Sequence, residues 1–338
     1  MTGWEWDPSL YAGSAIYYAR GRLPYPRELA DAIREALQLD GRGRLLDVGC
    51  GPGSLTHLLA PLVEEAVGID ADVDMVRAAE AGAAPNERFV QLPAEALPAG
   101  LGTFRLVTFA QSFHWLGGAS VAAKVRAMLD PNGAVVHVGA TTHEGDGDVP
   151  REAIAELVRS YLGAMRRAGR GLLPQGTPSN EDAVFAEAGL SGPVQVEVSG
   201  GRVFHRDEDD IVASVFSLSS AAPRLFGARL AEFEQDLRAL LRKASSTGQF
   251  SERARPISLR IWCSQSASGE SSGSVSASMA SFAASSESSG TSTVSGSSSP
   301  SAPMCASMPA FRSSSCSSSA SPVSPATTAW TILAIAAR

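Results

Sequence analysis

Cysteine is scarce. Cys50, Cys263, Cys305 and Cys316 are the only four in 338 residues, and no two form a CxxC pair. That excludes a disulfide framework and suits a reducing compartment. The start, Met1-Thr2-Gly3-Trp4-Glu5-Trp6, lacks the basic residues and apolar stretch of a signal peptide. No run approaches the roughly 20 apolar residues of a membrane helix, and the last apolar stretch, Ala329 to Ala337, is far shorter. These absences predict a soluble, cytoplasmic protein with no membrane partner. No basic stripe interleaved with aromatics occurs, and the formal net charge is -7, so nucleic acid is not an expected partner. No His, Cys, Asp and Glu set has metal-ligand spacing, so no metal is expected.

What is present divides into two parts. Up to Cys263, apolar and charged residues mix as in a globular domain. From Ser264 to Arg338 the chain is Ser, Ala, Pro and Gly with almost no acid or base. Such a segment buries too little apolar surface to offset its ordering entropy. Two readings of it stand: a disordered interaction tail, or the product of a GC-rich gene read out of frame.

In the first half, strand and helix signals alternate. Helices are predicted over Pro26–Leu39 (ended by Gly41), Ser54–Val63, from a cap at Asp72 or Asp74 through Ala81, and over Ala119–Leu129, the last stopping at the turn Asp130-Pro131-Asn132-Gly133. Strands are predicted at Arg44–Val48, Glu65–Asp70, Arg88–Gln91, Phe104–Ala110 and Ala134–Ala140. The alternation implies a parallel, doubly wound α/β sheet. Further on, helices are expected at Pro150–Ala168, Asn180–Ala188, Asp209–Leu218 and Ala228–Ala244. A strand at Val194–Val198 continuing through Arg202–Phe204, and a last one at Ile257–Cys263, complete the pattern. The helices of about 150–245 are expected to form a cap inserted before the closing strands.

Function concentrates in Leu45-Leu46-Asp47-Val48-Gly49-Cys50-Gly51-Pro52-Gly53-Ser54. A dinucleotide loop reads G-x-G-x-x-G and leaves room for a pyrophosphate. Here Gly49, Gly51 and Gly53 recur at every second position, and Asp47 precedes them. A carboxylate aimed into the loop repels a pyrophosphate and suits a ligand with positive charge, such as S-adenosylmethionine. Asp70, ending the second strand, suits two ribose hydroxyls. Glu95, after the third, suits an adenine amino group, and Met75 an adenine face. Cys50 sits within the loop and is given no nucleophilic role.

These residues, with Val67-Gly68-Ile69-Asp70, Ala94-Glu95-Ala96-Leu97-Pro98 and Phe104-Arg105-Leu106-Val107-Thr108-Phe109-Ala110-Gln111-Ser112-Phe113-His114-Trp115, resemble the class I S-adenosylmethionine-dependent methyltransferases, of the methyltransferase type 11-like kind. The likeness spans Leu10 to about Ala140 well and the rest to Cys263 loosely. It implies a seven-stranded Rossmann-like sheet of order 3-2-1-4-5-7-6 with the seventh strand antiparallel. It places Asp47, Gly49 and Gly51 at the cofactor's methionine end, Asp70 at the ribose, and Ala94 and Glu95 beside the adenine. Cys50, Gly53, Ala71, Met75 and Gln111 are the further cofactor-binding candidates. One departure is Arg105, where the family has aspartate.

The N-terminal run Tyr18-Ala19-Arg20-Gly21-Arg22-Leu23-Pro24-Tyr25-Pro26, with Phe113-His114-Trp115-Leu116, is similar to small-molecule methyltransferases that include trans-aconitate methyltransferase. This implies that residues 1–40 cover the cofactor and that Arg22, or Arg20, reaches its carboxylate. His114, at the carboxyl edge of the sheet, is the catalytic candidate; its other reading is packing against Trp115. His57 and His137 read as structural. Tyr11, Tyr17, Phe113 and Trp115 are candidates to face the sulfonium. The expected activity is methyl transfer to a small molecule. A non-catalytic cofactor-binding accessory protein and, less favoured, a nicotinamide-dependent oxidoreductase are the alternatives.

Overall fold

The computed structural model describes residues 11–164, 166–168, 171–173, 180–198 and 200–264. The predicted tail beyond Ser264 and the first ten residues of the predicted cover lie outside them.

Seven strands form the central sheet: β1 (Arg44–Val48), β2 (Glu65–Asp70), β3 (Glu87–Gln91), β4 (Phe104–Ala110), β5 (Leu129–Gly139), β6 (Leu190–Val198) and β7 (Ile257–Ser264). Their spatial order is β3-β2-β1-β4-β5-β7-β6. The first five run parallel, and β7 lies antiparallel between β5 and β6. This is the order the resemblance implies.

The strands read as nearly continuous apolar runs because helices cover both faces. Period-two alternation sends Leu46, Val48, Val107, Phe109 and Val135 to one face, under α5 (Gly118–Met128) and α7 (Glu181–Glu187). Leu45, Leu106, Val136, Leu259 and Ile261 go to the other face, under α2 (Arg27–Leu37) and α3 (Ser54–Leu59). In α2, Leu29, Ile33 and Ala36 supply the helical stripe. The helix ends before Gly41: Gln38 takes the left-handed conformation at φ 49°, and the Leu39 amide reaches back to the Arg34 carbonyl. Arg105 adds bonds to the carbonyls of Leu37 and Gln38 and pairs with Asp40 at 2.8 Å. Arg105, the departure from the pattern that the sequence resembles, thus holds the end of α2. Asp72 caps α4 (Val73–Glu80), accepting from the amides of Asp74 and Met75.

Four sequence expectations need correction. Asp130–Gly133 does not separate helix from strand. Phe104 pairs with Leu129 and Leu106 with Ala134, so the turn residues form an excursion inside β5. The helix predicted to reach Ala168 is α6 (Arg151–Leu162), which stops where Gly163 takes φ 85°. Val203–Asp207 does not continue β6; it pairs antiparallel with Gln249–Arg253, which in turn pairs with Asp146–Gly147. Finally, the inserted helices are not one block, because β6 divides them.

The cap gathers α1 (Ala15–Gly21), α6, α8 (Glu208–Phe216), α9 (Leu230–Ala244) and that three-stranded sheet. Its own core holds Ile154, Ile211, Phe216, Phe226, Phe233 and Leu237. Phe226 and Phe233 stack at 3.9 Å. Buried beside this core, Glu252 is fully enclosed and binds Arg151 and Arg206. Helix α1 docks on α8 rather than on the sheet. The approach is close enough that a Cβ on Gly21 would stand 2.4 Å from the Ala213 carbonyl oxygen. Gly21→Ala is therefore expected to destabilise the protein by about 1–3 kcal/mol, read as a lower urea midpoint. Among the described residues no single helix is long and apolar enough to cross a membrane.

Candidate functional site

The carboxyl ends of β1, β2, β4 and β5 open into a cleft, where ligands bind in open α/β sheets. It consists of two adjoining cavities of about 620 and 440 Å³ that share Tyr18, Gly49, Gly51, Ala110 and Gln111.

The loop after β1 is pinned from beneath. The Gly49 and Cys50 amides donate to the Ile69 carbonyl at 2.8 and 3.0 Å. Gly49 has φ 70°, and a Cβ there would meet Ser112 at 2.5 Å, so two turns of chain pass where only glycine fits. Gly51 differs. At φ 55° a Cβ would meet no protein atom within 4 Å and would project into the open cleft. Gly53 caps α3, against His57 and Phe89. The Cys50 side chain is buried against Val76, Ala79 and Phe89, and burial raises its thiol pKa well above the ordinary value.

Asp47 is 1% exposed and lies at the floor of the smaller cavity. Its two oxygens accept from the Thr56 and Thr108 hydroxyls, both at 2.7 Å. It therefore ties β1 to α3 and β4. Burial raises its pKa against those two bonds. Neither threonine stood out in the sequence, since each reads as an ordinary β-branched core position.

Asp70 lines the larger cavity. One oxygen accepts from the Gly51 amide at 2.8 Å, the other from the Asp72 amide at 2.9 Å. Burial pushes its pKa up to about 6. A carboxylate offers about four acceptor sites, so roughly two remain for a ligand. Across the cavity, Glu95 Oε1 accepts from the Gly117 amide at 2.7 Å, while its buried Oε2 has no protein partner. A buried acceptor without a donor is costly unless a ligand supplies one. Ala71, Met75 and Ala94 complete the wall between these two acids.

At the end of β4, Gln111 holds φ 55°, an uncommon conformation for a side-chain-bearing residue. Its amide donates to Thr142 Oγ1 at 3.3 Å, and its side chain also bonds the Tyr25 hydroxyl. Arg22 lines the smaller cavity. Its guanidinium lies 4.5 Å over the Tyr18 ring and donates to Ser217 and Thr142. Arg20, two residues earlier, points to the outer surface and pairs with Asp207, Asp209 and Asp210.

Of the aromatics, Tyr11 and Trp115 line the cleft and meet edge to face at 5.9 Å. Tyr17 instead packs on Phe216 in the cap core, and Phe113 is buried between Phe109 and Phe185. The His114 ring lies against Trp115, 4.7 Å between centroids, and Trp115 and Leu116 rather than His114 line the cavity. His57 pairs with Glu87, and His137 faces Glu181. Tyr18 and Thr142 line the site without having been singled out in the sequence. Among the described residues no three His, Cys, Asp or Glu side chains are grouped to hold a metal.

Comparison with known proteins agrees with this geometry. Residues 45–133 match the methyltransferase domain family. An uncharacterized methyltransferase of Schizosaccharomyces pombe is 33% identical over 108 residues, 30% of this chain and 40% of that protein. The uncharacterized methyltransferase YcgJ of Bacillus subtilis is 28% identical over 128 residues, 36% of this chain and 48% of that protein. The chain thus spans less than half the length of these curated relatives. A Geobacter sulfurreducens S-adenosylmethionine-dependent methyltransferase, solved with S-adenosyl-L-homocysteine, aligns over 76% of this chain and 98% of its own, at 16% identity and TM-score 0.41. The family match falls on the strands and the glycine loop that build the cleft, β1 through the start of β5.

Proposed function

We propose that the protein transfers a methyl group from S-adenosylmethionine to a small-molecule acceptor, and that the cleft at the carboxyl edge of the sheet holds both. The observation that carries this is the pairing of two acids across one cavity. Asp70 keeps about two acceptor sites free, and Glu95 Oε2 is buried without a donor. A ribose diol and an exocyclic amine supply the missing donors. The adenosine of a dinucleotide carries the same donors; what favours a cationic methionine end over a pyrophosphate is Asp47 at the floor of the adjoining cavity and the short glycine spacing above it.

The cofactor brings a methyl group already activated by a positive sulfur. The chain's part is to bind, align and keep out water. Asp70 takes the ribose hydroxyls and Glu95 the adenine amine, with Ala71, Met75 and Ala94 against the ring. Gly51 leaves the loop open for close approach. Arg22, beside the loop, holds the cofactor carboxylate, and Asp47 fixes the floor beneath the methionine end. Tyr11, Tyr18 and Trp115 close over the site, and of the proposed N-terminal cover the part from Tyr11 to Tyr25 lines it, whereas α2 packs on the sheet. Alignment of this kind supplies up to roughly 7–11 kcal/mol, so a general base is not essential, and His114 serves to seat Trp115 or to contact the acceptor.

Calorimetry with S-adenosylmethionine and with NADH tests the cofactor. Tight NADH binding without S-adenosylmethionine binding would overturn it. Incubation with methyl-labelled cofactor and a metabolite extract tests turnover; binding without labelled product would leave a cofactor-binding accessory protein. Gly51→Ala is a sharper check. Its positive φ predicts a stability loss of about 1 kcal/mol, but its new methyl enters the cleft. Affinity for S-adenosylhomocysteine should fall by more than about tenfold, whereas equal losses in both would show that the cleft is not the cofactor seat.

A further inference from the structure

A second cavity of about 480 Å³ lies behind the cofactor cleft. The N-terminal segment at Tyr25 and Pro26 forms one wall, Thr141 past the end of β5 another, and Phe204 and Ala254 of the cap sheet a third. It adjoins the cleft, with Leu23, Tyr25 and Thr142 lining both, and the Leu23 amide bonds the Thr142 carbonyl at 2.6 Å between them.

Its charge is one-sided. Two arginines stand at the cavity. Arg255 is neutralised by Glu144 and Asp146, each at 2.7 Å. Arg202, an exposed residue at the rim, stacks on the Phe204 ring at 4.9 Å and has no acidic partner among the described residues. Stacking fixes the guanidinium face and leaves its edge donors for an anion. No carboxylate lines the cavity. Apart from Gly200, Thr141 and Thr142, the rest of the wall is aromatic, aliphatic or proline, surfaces suited to an apolar body. Thr141 adds a hydroxyl that can donate to the same anion.

We propose that this pocket is a second small-molecule site, taking a hydrophobic monocarboxylate with its carboxylate on Arg202 and its apolar body between Tyr25, Pro26 and Phe204. The site stands independently of the methyl-transfer chemistry.

Octanoate and octan-1-ol are suitable probes, titrated calorimetrically into the full chain. Octanoate should bind once per chain and octan-1-ol at least about tenfold more weakly. Arg202→Gln should weaken octanoate about tenfold and leave octan-1-ol unchanged. Ala254→Phe, which fills the cavity, should remove both. S-adenosylhomocysteine affinity should stay within about twofold in each variant, which shows that the fold and the cofactor seat are intact. Absence of octanoate binding, an unchanged affinity in Arg202→Gln, or persistent binding in Ala254→Phe would each overturn the proposal. Failure of S-adenosylhomocysteine to bind the wild type would instead overturn the cofactor assignment.

Discussion

Asp70→Asn is expected to weaken S-adenosylhomocysteine binding about a hundredfold, since each charge-assisted bond contributes about 1.5–3 kcal/mol. Both carboxylate oxygens already hold a backbone amide, from Gly51 and Asp72. Asparagine keeps one acceptor and places a donor where the other was, so it faces an amide on one side and a ribose hydroxyl on the other. The wild-type pH profile should carry the same residue's signature. Burial pushes Asp70 up to about 6, and the ionised form is the better acceptor, so affinity should fall as pH drops through about 6. The stability effect has the opposite sign. A carboxyl raised in the folded state contributes stability that is full below the ordinary value of about 3.9 and is lost as pH rises through the raised one. Subtracting the Asp70→Asn profiles from wild type isolates both slopes. Equal affinity in the two proteins at pH 7.5 would remove Asp70 from the ribose site.

Glu252→Leu should destabilise the protein by about 3–5 kcal/mol, the cost of leaving buried charge without its partner. Glu252 is fully enclosed. Oε1 accepts from Arg151 and from the Gly145 amide, and Oε2 from Arg206 at 2.9 Å. Arg206 also donates to the carbonyls of Gly21 and Asp210, so one carboxylate anchors α1, α6, α8 and the cap sheet together. Urea denaturation measures the loss. Because the cap core has its own aromatic cluster, the variant should also unfold with the cap leading, visible as amide exchange of α8 and α9 at lower urea than that of the central strands. A midpoint unchanged from wild type would show that the two arginines find other partners.

The parallel half of the fold was legible because its strands carry uninterrupted apolar runs and its loop an uncommon glycine rhythm. Phe104–Ala110 was read to the residue, and Asp72 was one of two proposed caps. The cap was harder for a physical reason. In Gln249–Arg253 the inward positions are Phe250 and Glu252, so a buried charge breaks the alternation that announces a strand. At Asp130–Gly133 the turn chemistry was real, but the chain bulges and rejoins β4 instead of ending there. Site residues drawn from the loop and strand ends could be found from type and position. Arg20 and Arg22 could not be separated, since only the docking of α1 on α8 decides which one turns inward. Thr56, Thr108 and Thr142 carry no sequence signal, because a hydroxyl's role depends on a carboxylate or guanidinium brought from far along the chain.

The placement of β7 has a consequence for synthesis. β6 pairs with no strand of the central sheet except β7, and β7 comes nearly 60 residues after it in the chain, at Ile257. A nascent chain that has emerged through the cap helices therefore holds a nearly complete parallel sheet with β5 as an open edge. Val196 and Val198 have no strand to join, and Trp262 is missing from the core it fills. Unpaired edges of this kind recruit other chains. Residues 257–264 have to slot between these two strands, so the sheet is completed by insertion rather than by addition at an edge.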